Sequence, residues 1–73
     1  MTEVTIVQLL VMGDHFLFYD GRLGGIVRKH WISGYRFDTS DFWGGFSYIA
    51  RRSIRETAEK LIISLEITER LTS

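Results

Sequence analysis

The sequence predicts an α+β domain, a four- or five-stranded antiparallel meander with one C-terminal helix packed across a face. Two observations carry that expectation. Up to about Ser53, short aromatic and β-branched runs alternate with glycine-bearing turn signals, which is the pattern of strands and hairpins. Beyond Ser53 the period changes to that of one amphipathic helix. A third observation keeps residues 1–73 in a single domain: there is no linker, internal repeat, low-complexity stretch or proline.

Glu3 to Met12 is rich in Val, Ile and Leu and stops at Gly13-Asp14, so it reads as the first strand. Both parities are apolar, with Val4 and Ile6 on one and Val7, Leu9 and Val11 on the other. Either a bulge swaps the faces or the strand is covered on both sides. His15 to Val27 is the best local signal, because Asp20-Gly21 between apolar runs is the favoured type I′ hairpin turn. An unbroken register sets Tyr19 opposite Arg22, Phe18 opposite Leu23, Phe16 opposite Gly25 and His15 opposite Ile26. Phe16, Phe18, Leu23 and Val27 then form the expected core face, with Phe16 shielding Gly25. The other face carries His15, Leu17, Tyr19, Arg22 and Ile26.

Ser33-Gly34 is a second turn signal, placing Trp31 opposite Arg36 and Ile32 opposite Tyr35. Asp38 to Asp41 reads as a polar loop, and Phe42 to Ala50 as a last strand with a bulge or a bend at Gly44-Gly45 near its start. Ser53-Ile54-Arg55-Glu56 matches the S-x-x-E capping box and predicts that the helix starts there. Ile54, Ala58, Leu61, Ile62 and Leu65 make its apolar stripe. Glu56 to Lys60 and Glu66 to Arg70 are i, i+4 pairs on the polar side, and Ile63 and Ile67 lie off the stripe or at its margin.

A chain this small buries only about 60% of the surface its unfolded form exposes, so its stability is marginal. With no Cys there are no disulfides or thiolate zinc sites to reinforce it, which raises the rank of self-association or partner binding. The lack of Cys fits a reducing compartment. No basic segment followed by an apolar one marks a secretory signal, and no apolar run approaches the roughly 20 residues that span a bilayer, so a cytoplasmic protein without membrane contact is expected.

Catalysis is not expected. The two histidines, His15 and His30, have no partner at ligand-like spacing, Asp38 and Asp41 fit polar loop chemistry, and neither Gly24-Gly25 nor Gly44-Gly45 belongs to a phosphate loop. No cofactor or metal is implied. The binding signals are two. Apolar residues exceed what one helix can cover, and Leu17, Tyr19, Ile26, Trp31, Tyr35 and Trp43 are the candidate contacts for a protein partner or a second copy of the chain. The charge is also unevenly placed: Gly21 to Arg55 holds seven basic against two acidic residues, and the remainder two against seven. Arg22, Arg28, Lys29, Arg36, Arg51 and Arg52, interleaved with aromatics, are therefore candidate nucleic-acid contacts.

In element order, a three-stranded sheet backed by a C-terminal helix resembles the plant AP2 domain and the arm-binding domains of some integrases, which implies DNA binding. In its small, cysteine-free, single-domain build the chain is similar to phage and mobile-element proteins that inhibit host machinery, including anti-CRISPR proteins. That resemblance implies a non-catalytic inhibitor acting by occupying a partner's surface. The second is the expected function and nucleic-acid binding the alternative.

Overall fold

A computed structural model describes residues 3–32 and 34–72. Four antiparallel strands, β1 (Val4–Leu9), β2 (Asp14–Tyr19), β3 (Arg22–His30) and β4 (Gly34–Thr39), form one sheet in the order β1-β2-β3-β4. A 3₁₀ turn at Trp43–Gly45 leads into a single helix, α1 (Tyr48–Thr72), packed on the sheet. The α+β meander expected from the sequence is thus present, with four strands.

The central hairpin turns as its dipeptide dictates. Asp20 and Gly21 both take positive φ, 53° and 74°, as the type I′ turn requires. Tyr19 pairs with Arg22 and Phe18 with Leu23, as expected. Beyond that point the unbroken register fails, because a bulge at Gly24 inserts one extra residue into β3. Leu17 then pairs with Gly25, Phe16 with Ile26 and His15 with Val27. One residue of slip moves every later side chain of β3 to the other face relative to β2. The expected core face is therefore corrected: Leu17 and Val27 are fully buried beneath α1, and Phe16, Phe18, Leu23 and Ile26 lie on the face opposite the helix.

The glycines at the bulge explain why the helix settles there. A Cβ at Gly24 would lie 2.7 Å from Ile54 Cδ1, so the bare backbone is what lets the buried Ile54 side chain seat against β3. At Gly25 a Cβ would lie 2.3 Å from the Phe37 ring and 2.7 Å from the Asp38 carbonyl. Phe37 on β4, not Phe16, is the ring that shields this glycine. Ala50, Ile54 and Ala58 are the buried residues of α1, and Leu61, Ile62 and Leu65 extend the contact. The stripe read from the sequence holds, lengthened by one turn toward the N-terminus.

That extra turn corrects the expected strand over Phe42 to Ala50 and the helix start at Ser53. Ser47 is the cap: its Oγ accepts the Ala50 N–H at 3.1 Å and its carbonyl accepts the Arg51 N–H at 2.9 Å. Ser53 and Glu56 lie inside the helix, where Glu56 is held by Arg52 at 3.0 Å.

The outer strands differ from expectation as well. β1 ends at Leu9, and Leu10 to Gly13 form a turn closed by the Gly13 N–H donating to the Leu9 carbonyl at 2.8 Å. Neither face of β1 is covered along its length, since Ile6 and Val7 are 42% and 49% exposed. At the other hairpin Arg28 pairs with Arg36 and Lys29 with Tyr35, so Trp31 does not oppose Arg36 nor Ile32 Tyr35. Trp31 stacks on His30 with ring centroids 6.3 Å apart. Ser33 of the proposed Ser33-Gly34 turn lies outside the described residues.

Because Ser47 supplies the cap, Ser47→Ala is expected to cost about 1 kcal/mol. Ser53→Ala, in the helix interior, is expected to change stability by a few tenths of a kcal/mol at most. Denaturant midpoints of the two variants check this directly. Equal midpoints would place the helix start elsewhere.

Candidate interaction surface

The meander fixes which side chains share the uncovered face. Alternation along the strands places Thr5, Val7 and Leu9 of β1, Phe16 and Phe18 of β2, and Leu23 and Ile26 of β3 on the side away from α1. Val7 and Leu9 are exposed and the other apolar members are half-buried. Arg28 and Asp14 continue that face, paired at 3.5 Å, followed by Arg36 and Asp38 of β4, paired at 3.3 Å. An apolar band thus grades into a band of internally matched charge. Near Leu23 and Ile26 a groove of about 550 Å³ opens, with Phe42 and Phe46 also in its lining.

Connectivity adds a second apolar feature. In an up-and-down meander the β1–β2 and β3–β4 turns emerge at the same end of the sheet. Leu10, Val11 and Met12 sit in the first, Trp31 and Ile32 in the second, and all five are between 69% and 93% exposed. Turn positions ordinarily carry polar residues, and these five contribute nothing to the core. Leu10 to Met12 belong in the sequence to the run read as the first strand, and nothing in that run marks where the strand ends.

The six expected protein contacts do not form one surface. Leu17 is fully buried under α1 and is corrected to a core residue. Tyr19 lies on the helix side, edge-on to Phe46 at 6.1 Å. Tyr35 is half-buried near Glu69, and Trp43 is half-buried with the Arg51 and Arg55 guanidiniums over its ring at 5.7 and 5.2 Å. Ile26 is on the uncovered face and Trp31 at the apolar end.

The six expected nucleic-acid contacts are also dispersed. Arg28 and Arg36 lie on the uncovered face with carboxylate partners, and Lys29 lies on the helix side, bonded to Glu69. Arg22 covers the Phe46 ring at 4.3 Å and Arg52 pairs with Glu56. Arg51 is on the Trp43 ring. Each of the six has a local partner, but Arg51 and Arg52 come together with Arg55 around Trp43 and Tyr48, so the basic middle of the sequence gathers into one small cluster at the start of α1 and is otherwise spread over the molecule.

Among the described residues no three His, Cys, Asp or Glu side chains converge as metal ligands, and no helix is long and apolar enough to cross a membrane. Compared with known proteins, the chain matches no family model, no curated protein and no solved structure. Its surface chemistry alone must carry the functional reading.

The Lys29–Glu69 contact ties the far end of α1 to β3. Its hydrogen bond holds the Glu69 carboxyl below the usual carboxylate range and raises the Lys29 amine, while burial raises the Tyr35 hydroxyl, which also bonds Glu69. A depressed carboxylate stabilises above its ordinary value of 4.5 and loses that contribution as pH falls through the lowered folded value. A raised amine stabilises below its ordinary 10.5 and loses that contribution as pH rises through the higher folded value. Glu69→Gln is therefore expected to lower the thermal midpoint slightly at neutral pH and low salt. The gap from the parent chain should narrow as pH falls below 4.5, close once pH has passed the lowered Glu69 value, and shrink with added salt. A gap that persists in acid would assign the loss to packing.

Proposed function

We propose that this chain is a non-catalytic protein-binding module that acts by laying its apolar sheet end and uncovered sheet face on the surface of another protein. The observation that carries the reading is the exposure of Leu10, Val11, Met12, Trp31 and Ile32 on two turns at one end of the sheet. Water-facing apolar area of this kind is unfavourable for a monomer by about 25 cal/mol for each Å² left exposed, and a partner relieves it. The scale fits: a standard interface takes roughly 800 Å² from each partner, a modest share of this chain's 5479 Å². Occluding a partner in this way is the mode of action of an inhibitor of host machinery, the finer form of the same proposal.

Two other classes of target fit less well. A nucleic acid needs many cations on one face to neutralise phosphates, and of the six candidates only Arg51 and Arg52 sit together, beside Arg55 and Trp43, while Arg28, Lys29 and Arg36 are matched by carboxylates and Arg22 lies over Phe46. An anionic lipid surface needs the same around an apolar tip. Here Lys29 and Arg28, the cations of β3 nearest that tip, are paired with Glu69 and Asp14.

The test is capture from a cell extract by the immobilised chain beside its Val11→Asp/Trp31→Ala double variant. Both substitutions fall on exposed turn residues, so folding should be retained by circular dichroism. The expected result is a protein held stoichiometrically by the parent chain, lost in the variant, resistant to nuclease and nearly unchanged between about 50 and 200 mM salt. Submicromolar binding to nonspecific DNA or RNA, or to anionic vesicles, with no protein retained, would overturn the proposal.

A further inference from the structure

We infer that the outer edge of β1 is a self-pairing seam, through which two copies of the chain join antiparallel into one eight-stranded sheet. The inference concerns the strand edge and stands independently of the partner reading, which concerns the apolar end and face. Its first support is the difference between the two edges of the sheet. β4 carries Arg36 and Asp38, the kind of charge with which sheets guard an edge against further pairing. β1 reads Val-Thr-Ile-Val-Gln-Leu and the following turn continues Leu-Val-Met, so that Val4 to Met12 contains no charge, proline or glycine. Its unpaired backbone groups are framed by β-branched side chains, the composition best suited to another strand.

A second copy is the occupant that this edge fits. Antiparallel pairing of identical strands brings no like charges together and satisfies both rows of backbone donors and acceptors by one two-fold operation. The axis of that operation stands normal to the sheet, so the two helices fall on one side and the two uncovered faces on the other. Residues opposed across the seam then have the same parity, Ile6 meeting Ile6 with Val7 opposite Thr5, or Ile6 meeting Gln8 with Val7 opposite Val7. Room for this exists: α1 packs over β2, β3 and β4 and reaches β1 near Val4, leaving Ile6, Val7 and Leu9 exposed on the two faces of the strand. Pairing covers them and merges the apolar bands of the two copies across the seam. The apolar ends of the two copies then point in opposite directions, making the dimer bivalent.

Sedimentation equilibrium of the purified chain across the micromolar range tests the seam. The parent chain is expected to be a dimer. Ile6→Lys places a charge on the helix side of β1, away from the uncovered face, and is expected to weaken the dimer at least tenfold with an unchanged circular dichroism spectrum. Leu23→Asp, which would disrupt stacking of two uncovered faces, is expected to leave the dimer intact. Because the chain has no cysteine, single variants report the register directly: Ile6→Cys should cross-link under oxidation where Ile6 opposes Ile6, Val7→Cys where Val7 opposes Val7, and Asp38→Cys on β4 in neither case. A parent chain that stays monomeric, a dimer insensitive to Ile6→Lys, or cross-linking through Asp38→Cys alone would overturn the inference.

Discussion

The seating of Ile54 against the bare backbone of Gly24 is the contact on which the rest of the architecture turns. It holds α1 on one side of the sheet, with Ala50 and Ala58 one turn to either side keeping the approach close. The same glycine is the extra residue of the β3 bulge. One position therefore sets both the helix–sheet distance and the parity of β3, and through that parity it decides which aromatics are left uncovered. Removing a buried isoleucine side chain costs about 2 to 5 kcal/mol, against a total stability of roughly 5 to 15 kcal/mol for a native protein. For a chain of this size the contact is a large fraction of the margin.

Much of the fold was legible because it rests on local rules. The Asp20-Gly21 turn, the helical stripe from Ile54 to Leu65 and the α+β order follow from φ preferences and period alone. What was not legible depended on choices between two acceptable local answers. Ser47 and Ser53 both offer a hydroxyl ahead of a helical stretch, and Ser53 even has its Glu three residues on. Packing of Ala50 on the sheet favours the earlier start, and Phe42 to Phe46 form a 3₁₀ turn and its flanks instead of a strand. The register was read unbroken through Gly24-Gly25, and the bulge there depends on Phe37 and Ile54, distant in sequence.

The candidate surface was less legible than the fold for a related reason. The amount of excess apolar area could be counted from the sequence, whereas its location required the bulge and the strand ends. Leu17 passed for a contact residue because the unbroken register turned it away from the core. Leu10 to Met12 passed for strand because an apolar run gives no sign of where its hydrogen bonding ends. The basic residues carry the converse lesson, since strand alternation separates Arg28 and Arg36 from Lys29, while Arg51, Arg52 and Arg55 gather at the start of α1. Composition bounded the classes of partner, and side-chain parity decided which residues share a surface.

The bulged register is the central claim, and nuclear Overhauser contacts from the Ile54 methyl groups test it most directly. Contacts to Leu17 and Val27 with none to the Phe16 or Phe18 rings, together with cross-strand backbone contacts pairing Phe16 with Ile26, are what the account predicts. Ile54 contacts to the Phe16 and Phe18 rings, with Phe16 opposite Gly25, would contradict it and reverse the two faces of the sheet.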